Sequence, residues 1–516
     1  MKKITLSALL FSLFLFELQA ENNISSDKIK TPVAIENNFR NSLWYNTLNR
    51  SGLAFNTMKI WNDLDLDYQF SHGDFRSQTI GNQIHDVSVN TSGAAMLGKF
   101  MLLGNFSFIN IAENGTCYNT VLYEVADDMP YFIIDPNKSQ WIKQEYKIGA
   151  SIVSPTVANI ISFGLEANYT TKVGAKQKDP RSEAYKYNIE VIPSLTFNLG
   201  KTHLLGLYGL FDNSFERSVP TLNNYMQSQK ITYNTGLGEG IIGKVGDNDG
   251  LKTVFYKSMR YGGGLQYAWG RTQTFLLNLG YEGKKIDGYE SPQLPRRLGS
   301  TRNNTFIGDI QWLFGNNKSN KFTLSGFFSN TKGLEHIQKL NSEAFNQSWE
   351  LLSSNHMSTY KKMDIRLDYD HLFGNDDIYG YNWMVGGLVD FCHKKDKYTL
   401  PSSSYSATNL IAELRGGKQF KFKTSTLLIE LRAGYNQNLG GSYEYGGNKK
   451  ESVQVEYYTK ENAYLNQNFI KTSGSISWTY TARKVNWMIG LNADWAKPLN
   501  IKDDRLLCKA SIGIIF

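Results

Sequence analysis

The sequence predicts an all-β fold: a transmembrane antiparallel up-and-down β-barrel of about 18 strands (16–18), with short periplasmic turns and long extracellular loops. Three observations predict it. Polar and apolar residues alternate along most of the chain, short links alternate with long ones, and the last strand ends on an aromatic residue.

The alternation is clearest in Asp63-Leu64-Asp65-Leu66-Asp67-Tyr68-Gln69-Phe70, where one sheet face is acidic and the other apolar. The same period recurs in Met363–Asp370, Ile161–Tyr169 and Val485–Leu491. A soluble sandwich can contain one such strand. Repetition in segments long enough to cross a bilayer at a tilt favours a membrane barrel. Strands are expected near 59–70, 84–96, 99–111, 141–154, 159–172, 184–198, 201–215, 253–269 and 271–284. Nine more are expected near 302–314, 320–331, 359–373, 379–393, 405–417, 423–437, 467–481, 484–496 and 504–516.

The links supply an independent check. Tight ones fall at Leu97-Gly98, Leu199-Gly200-Lys201, Trp269-Gly270-Arg271, Phe314-Gly315-Asn316-Asn317 and Thr481-Ala482-Arg483. Long segments lie between them, around 112–140, 216–252, 285–301, 332–358 and 438–466. Outer-membrane barrels show this rhythm because their periplasmic turns are short and their outer loops long. In the final strand Ile512, Ile514 and Phe516 share a face. A terminal Phe there resembles the signal by which bacterial outer-membrane barrels are recognised. Phe516 is therefore the candidate assembly signal, and barrel-assembly machinery an expected partner.

At the other end, Lys2 and Lys3 precede an apolar stretch, Ile4 to Phe16, and Leu18-Gln19-Ala20 offers a cleavage site before Glu21. Residues 1–20 are thus expected to be a signal peptide, the apolar run being too short to span a bilayer. Residues 21–58 form a periplasmic N-terminal segment ahead of the barrel, 59–516. Phe39, Leu43, Trp44, Leu48 and Phe55 fall near helical spacing, and Ser51-Gly52 is a natural stop. The segment is too short for the folded plug of an energy-coupled receptor. It either packs on the barrel rim, the preferred arrangement, or inserts a short helix into the lumen.

Composition excludes other classes. No stretch of about twenty apolar residues follows the signal, which excludes a helical membrane protein. Mean hydropathy is -0.39, a polar average that a barrel also shows because only one strand face meets lipid. Aromatic residues make up 13% of the chain and Gly outnumbers Pro 45 to 11, which suits Gly-containing turns and aromatic girdles. Cys117, Cys392 and Cys508 are too few and too scattered for a disulfide framework or a metal spacing. No cofactor, metal or nucleic-acid partner is expected.

With large apolar residues outward, the lumen-facing charged candidates are Asp63, Asp65, Asp67, Glu166, Asp364, Arg366, Asp368, Asp370, Glu413, Arg415, Glu430 and Arg432. Glu190, Glu282, Asp309 and Asp494 join the acids, and Lys186, Arg260 and Lys471 the bases. Acids are in the majority on this assignment although the chain carries a net charge of +8, so positive charge is expected in the loops. Candidates are Lys176, Lys178, Arg181, Arg296, Arg297, Lys394, Lys395, Lys397, Lys449 and Lys450, facing solvent or anionic lipopolysaccharide. An acidic lumen favours cations if it is water-filled, or braces the wall through ion pairs. Glu413/Arg415 and Glu430/Arg432 are expected to pair crosswise if their turn centres near Phe422. No catalytic residue is assigned. His72-Gly73-Asp74 and Asp370-His371 set carboxylates beside imidazoles, but no Ser motif accompanies them.

Several stretches resemble a family of uncharacterised outer-membrane barrel proteins from Bacteroidota, a domain of unknown function. They are Ser42-Leu43-Trp44 through Ser51-Gly52-Leu53-Ala54-Phe55, Gly73-Asp74-Phe75-Arg76, Asp128-Met129-Pro130-Tyr131-Phe132-Ile133-Ile134-Asp135-Pro136 with Trp141, and Asp179-Pro180-Arg181-Ser182. The resemblance implies the outer membrane of a Gram-negative bacterium, contact with its lipid, and a place beside nutrient-uptake receptors. The function expected is a channel or accessory component for uptake of a small solute or nutrient. The alternative is a ligand- or surface-binding barrel with a blocked lumen, acting through its extracellular loops. An outer-membrane hydrolase is weaker still.

Overall fold

Alternation becomes geometry in the first strand, Asn62–His72. Leu64 and Leu66 stand outward, 40% and 49% exposed, while Asp67 on the opposite face is buried. The computed structural model describes residues 29–55, 60–122, 129–223, 229–245, 253–270, 274–342, 347–375, 378–482 and 485–516. The expected signal peptide lies outside them. Eighteen antiparallel strands form one sheet, and the last, Arg505–Ile515, pairs with Asn62–His72 to close the barrel. Closure gives every strand of that sheet a neighbour on both sides.

Each expected strand is present. The ends differ most on the side of the long loops. Asn320–Asn341 has 22 residues and Ser348–Phe373 has 26, against 11 in Asn62–His72. Their outer halves carry apolar residues such as Ile337, Leu351 and Leu352 out of strict alternation, so the backbone ladder continues where the hydrophobic period has stopped. Large apolar side chains such as Leu279, Phe306, Trp312, Ile365, Leu414 and Leu431 are exposed around the outer wall. A continuous exposed apolar surface of this kind marks a membrane or partner contact. At the short links, Gly98 (φ 60°) and Gly315 (φ 81°) take the left-handed backbone that these turns require.

The chain before the first strand folds into α1, Pro32–Asn41, and two short 3-10 turns, Leu43–Asn46 and Arg50–Phe55. Thr31 starts α1, its hydroxyl accepting from the Ala34 amide with Pro32 at the first helical position. At the other mouth, Ile133–Ile134, Gln229–Gly236 and Glu239–Val245 form a separate three-stranded sheet. Beside it lies α2, Val453–Leu465, a helix inside the long segment 438–466 that the strand pattern alone does not reveal. Ser452 caps it, and a Glu456–Lys460 pair one turn apart is the sequence signal that marks it.

Candidate functional site: a lumen covered at both mouths

The short-turn mouth is covered by one continuous segment, residues 29–55. Its first part lies against the turns: Lys30 N donates to Ile378 O (3.1 Å), Asn37 to Asn375 (2.8 Å), and Arg40 to the carbonyls of Lys318 (2.7 Å) and Ser319 (3.1 Å). Beyond α1 the chain enters the barrel. Leu43, Trp44 and Leu53 are buried against inward-facing Leu204, Ala268, Leu276 and Leu313. Ser51 meets Ser194 and Thr196 on the wall, and Arg50 binds Glu166 at 2.5 Å. Gly206 makes the fit: a Cβ there would lie 2.8 Å from the Trp44 ring. The rim packing preferred from sequence therefore describes α1 only, because Trp44 and its neighbours find an apolar ring inside the lumen.

The charged candidates gather around this stopper. Arg415 holds Asp370 (2.7 Å) and Asp368 (3.2 Å), with Arg366 3.9 Å from Asp368. Glu430 accepts from Tyr381 (2.7 Å) and Ser475 (3.2 Å). Asp370, Arg415, Glu430 and Arg432 all act on Glu36 of α1. Burial pushes the Glu36 carboxyl up, with Glu430 adding to it, and burial lowers the Arg40 guanidinium to about 10. The remaining candidates stand apart. Asp63 accepts from Ser92 (2.5 Å), Asp67 pairs with Lys509 (3.1 Å), and Asp65 lies between them on the same face. Glu413 faces Gly434 across the ladder.

The expected crosswise pairing fails. Arg415 stands directly opposite Arg432, and Glu430 opposite Gly417, because the turn is centred beyond Phe422. The acid majority also shrinks. Lys143, Lys172 and Lys509 pair with Glu113, Glu145 and Asp67 inside the lumen, and Lys176 pairs with Asp135 while almost fully buried. Lys176, Arg181, Arg296, Arg297, Lys394, Lys395 and Lys397, all expected in loops, lie instead within strands that run farther outward than their apolar period.

The long-loop mouth is covered differently. Tyr118, Met129, Tyr131, Phe132, Ile133 and Ile134 are buried with Ile231, Tyr256 and Tyr457. Tyr398 and Tyr405 form a second cluster with Leu237. Polar bonds pin the cover: Asn234 to Pro130 O (2.7 Å), Tyr256 to Tyr131 O (3.0 Å) and Ser218 to Thr120 O (2.6 Å). Glu461 of α2, raised above its usual range by burial, accepts from Gln78 N (2.9 Å) and Ser77 (3.1 Å).

Beneath this cover lie two voids of about 350 Å³ and 250 Å³, which share Arg260, Lys284 and Ile286 in their walls. Arg260 is held by Glu190 (2.5 Å), Glu282 (3.2 Å) and Asp212 (3.5 Å). Asp212 is absent from the candidates read from sequence, because Leu210-Phe211-Asp212-Asn213 breaks the alternation, with Leu210 and Asp212 both buried on the inner face. The walls also carry charged Glu145, Lys147, Lys186, Glu216 and Lys362, with hydroxyls and amides from Thr170, Asn188, Ser214 and Asn303 between them. Such a chamber can hold a small hydrophilic molecule.

Catalytic couples do not form at the two places considered. His371 bonds to Asn320 (2.6 Å) while Asp370 binds Arg415 from the other face. Asp74 pairs loosely with Arg76 (3.8 Å), and His72 stacks with Phe70. Among the described residues, Asp364, Asp390 and Cys392 bring three donor atoms within 4.8 Å. They satisfy one another, the Cys392 thiol donating to Asp364 at 3.1 Å. The three cysteines are free.

A model of a family of unknown function (DUF6850) matches residues 51–516. No curated protein matches the sequence. Solved structures share the barrel at low identity. The ferric preacinetobactin receptor BauA of Acinetobacter baumannii matches at 9% identity and TM-score 0.42, covering 88% of this chain and 80% of its own. The iron transporter FrpB of Neisseria meningitidis matches at 8% and 0.42, covering 90% and 82%. The ferric yersiniabactin uptake receptor FyuA of Yersinia pestis matches at 10% and 0.37, covering 88% and 80%. Likeness at this level brings no ligand across.

Proposed function

Since the chain belongs to DUF6850, whose function is unknown, we propose from its geometry a stoppered barrel of a Gram-negative outer membrane that admits a small hydrophilic solute. The observation that carries this reading is the polar chamber kept between two covers of unlike construction. The exposed apolar wall supports a membrane setting. On this reading the long loops face outward, the solute rests against the Arg260 cluster, and the stopper must shift for it to leave. Partnership with a nutrient-uptake receptor would supply the force for that shift. A second reading is a binding barrel with a permanently blocked lumen, favoured by the dense aromatic packing of the outer cover.

Planar-bilayer recording separates the two. The native protein is expected to be almost silent, and a Trp44→Ala/Arg50→Ala variant to show ion-sized steps. Silence from both proteins, each correctly folded, would sink the uptake reading in favour of the blocked barrel.

A further inference from the structure

The outer face of five consecutive strands changes chemistry row by row. These are Phe275–Glu290, Arg296–Phe314, Asn320–Asn341, Ser348–Phe373 and Trp383–Tyr398. In one row Tyr281, Phe306, Phe328 and Met363 stand opposite one another. Two residues nearer the long loops, Lys361 stands opposite Lys395. Two residues farther, Lys285 faces Arg302, Arg302 faces Lys332, and Thr359 faces Lys397. Side chains two apart share a sheet face, so these bases lie on the same outer wall as the aromatic row.

Lys285, Lys332, Lys361, Lys395 and Lys397 are exposed. Asp287 takes up Lys285 and Arg302, at 3.1 Å each. The other four have no ion-pair partner among the described residues. Like charges directly opposite each other oppose strand pairing, yet Lys361/Lys395 and Arg302/Lys332 are so placed. Across the barrel the pattern is absent. The outer faces of Asn62–His72, Gln83–Leu97 and Phe100–Thr116 carry Phe70, His72, His85, Asn110 and Asn114 at corresponding outer positions, and no Lys or Arg.

We infer that this basic arc is a docking surface for phosphorylated lipid headgroups of the outer leaflet. The inference rests on the outer-membrane reading above. An aromatic row marks the edge of the apolar band, and rows one and two steps beyond it lie about 7 and 14 Å farther along the strand, at headgroup depth. A phosphate between opposed lysines replaces their repulsion with two charge-assisted bonds. The arc continues the lipid-facing wall and forms no pocket, so a lipid already packed on the aromatic row presents its phosphates there.

The test titrates detergent-purified full-length protein with diphosphoryl lipid A. A Lys332→Ser/Lys361→Ser/Lys395→Ser/Lys397→Ser variant is expected to bind on the order of tenfold or more weakly, since each lost surface base removes attraction to anionic lipid. A control with Lys423, Lys449, Lys450 and Lys502 changed to Ser is expected to bind as the native protein does. Lipid A stripped of phosphate should bind the native protein no better than diphosphoryl lipid A binds the fourfold variant. Equal binding by native and variant proteins, equal loss in the control, or undiminished binding of the dephosphorylated lipid would each overturn the proposal. Preference for an acidic polysaccharide over lipid A would overturn it too. Should the fourfold variant fail to show heat-modifiable migration, Lys361→Ser/Lys395→Ser takes its place. A native protein that itself lacks such migration and is absent from the outer-membrane fraction would instead remove the membrane reading.

Discussion

The two mouths of the barrel are covered by opposite means. At the short-turn mouth one continuous segment, residues 29–55, carries the whole cover on Trp44, Leu43 and Leu53 and a few side-chain bonds. At the long-loop mouth the cover is assembled from separated parts of the chain: Tyr118 and Val121, Met129 to Ile134, Ile231, Tyr405 and α2. A cover made of one piece can leave in one step. A cover made of several, each tied to a different pair of strands, loosens piecemeal. On the proposed uptake reading, the difference favours the short-turn mouth as the end that opens.

Trp44→Ala should break the comparison most. Removing a fully buried Trp costs about 3–5 kcal/mol, and the loss falls on residues 43–55, held otherwise by Leu43, Leu53 and the bonds of Arg50 and Ser51. Hydrogen exchange is expected to rise more than about hundredfold across residues 43–55, since about 2.7 kcal/mol already corresponds to that factor. Phe132→Ala removes a similarly buried ring, but exchange should rise only near Phe132 and leave Gln229–Gly236 protected. Matching spread in both variants would show that the covers are alike.

Breaking the Arg50–Glu166 contact has a smaller expected effect. Arg50→Ala should weaken docking by about 2 kcal/mol, the scale of a hydrogen bond to a charged group. Arg50→Ala with Glu166→Ala should cost less than the sum of the two single changes, because the lone carboxylate is then also gone. Full additivity of the exchange rates would mean that the pair contributes nothing jointly.

The smallest effect is a pH dependence confined to the stopper. Burial raises the Glu36 carboxyl, so the docked segment binds a proton more tightly than the released one. Docking is then strongest below the ordinary carboxyl range and weakens as pH rises through the raised value. Openings in bilayer recordings should become more frequent from pH 4 to pH 8, and Glu36→Gln should flatten the change. A native profile as flat as that of the variant would show that Glu36 does not govern the stopper.

Legibility in the sequence followed the physics of each part. The eighteen strands were readable because the wall has two unlike faces, so every residue carries one bit of the pattern. Asp63, Asp65 and Asp67 fell on the inner face for that reason. Pairing partners were not readable, because alternation says which face a side chain takes and not which residue stands across from it. The turn centred just past Phe422 was enough to set Arg415 against Arg432. Nor did periodicity reach the covers. Trp44 is recognisable as a buried residue, but Leu204, Ala268, Leu276 and Leu313, which receive it, come from four neighbouring strands far from Trp44 in sequence.

The unequal strands give the barrel a direction. At about 3.4 Å per residue and a tilt near 40°, a 26-residue strand stands roughly 40 Å taller than an 11-residue one. One side of the rim is a mast and the other a low sill. A large particle descending from outside touches the hairpin of Asn320–Asn341 and Ser348–Phe373 long before it nears the cover. On the proposed reading a small solute reaches the cover over the sill, beside Asn62–His72, whose neighbours Arg505–Ile515 and Gln83–Leu97 have 11 and 15 residues.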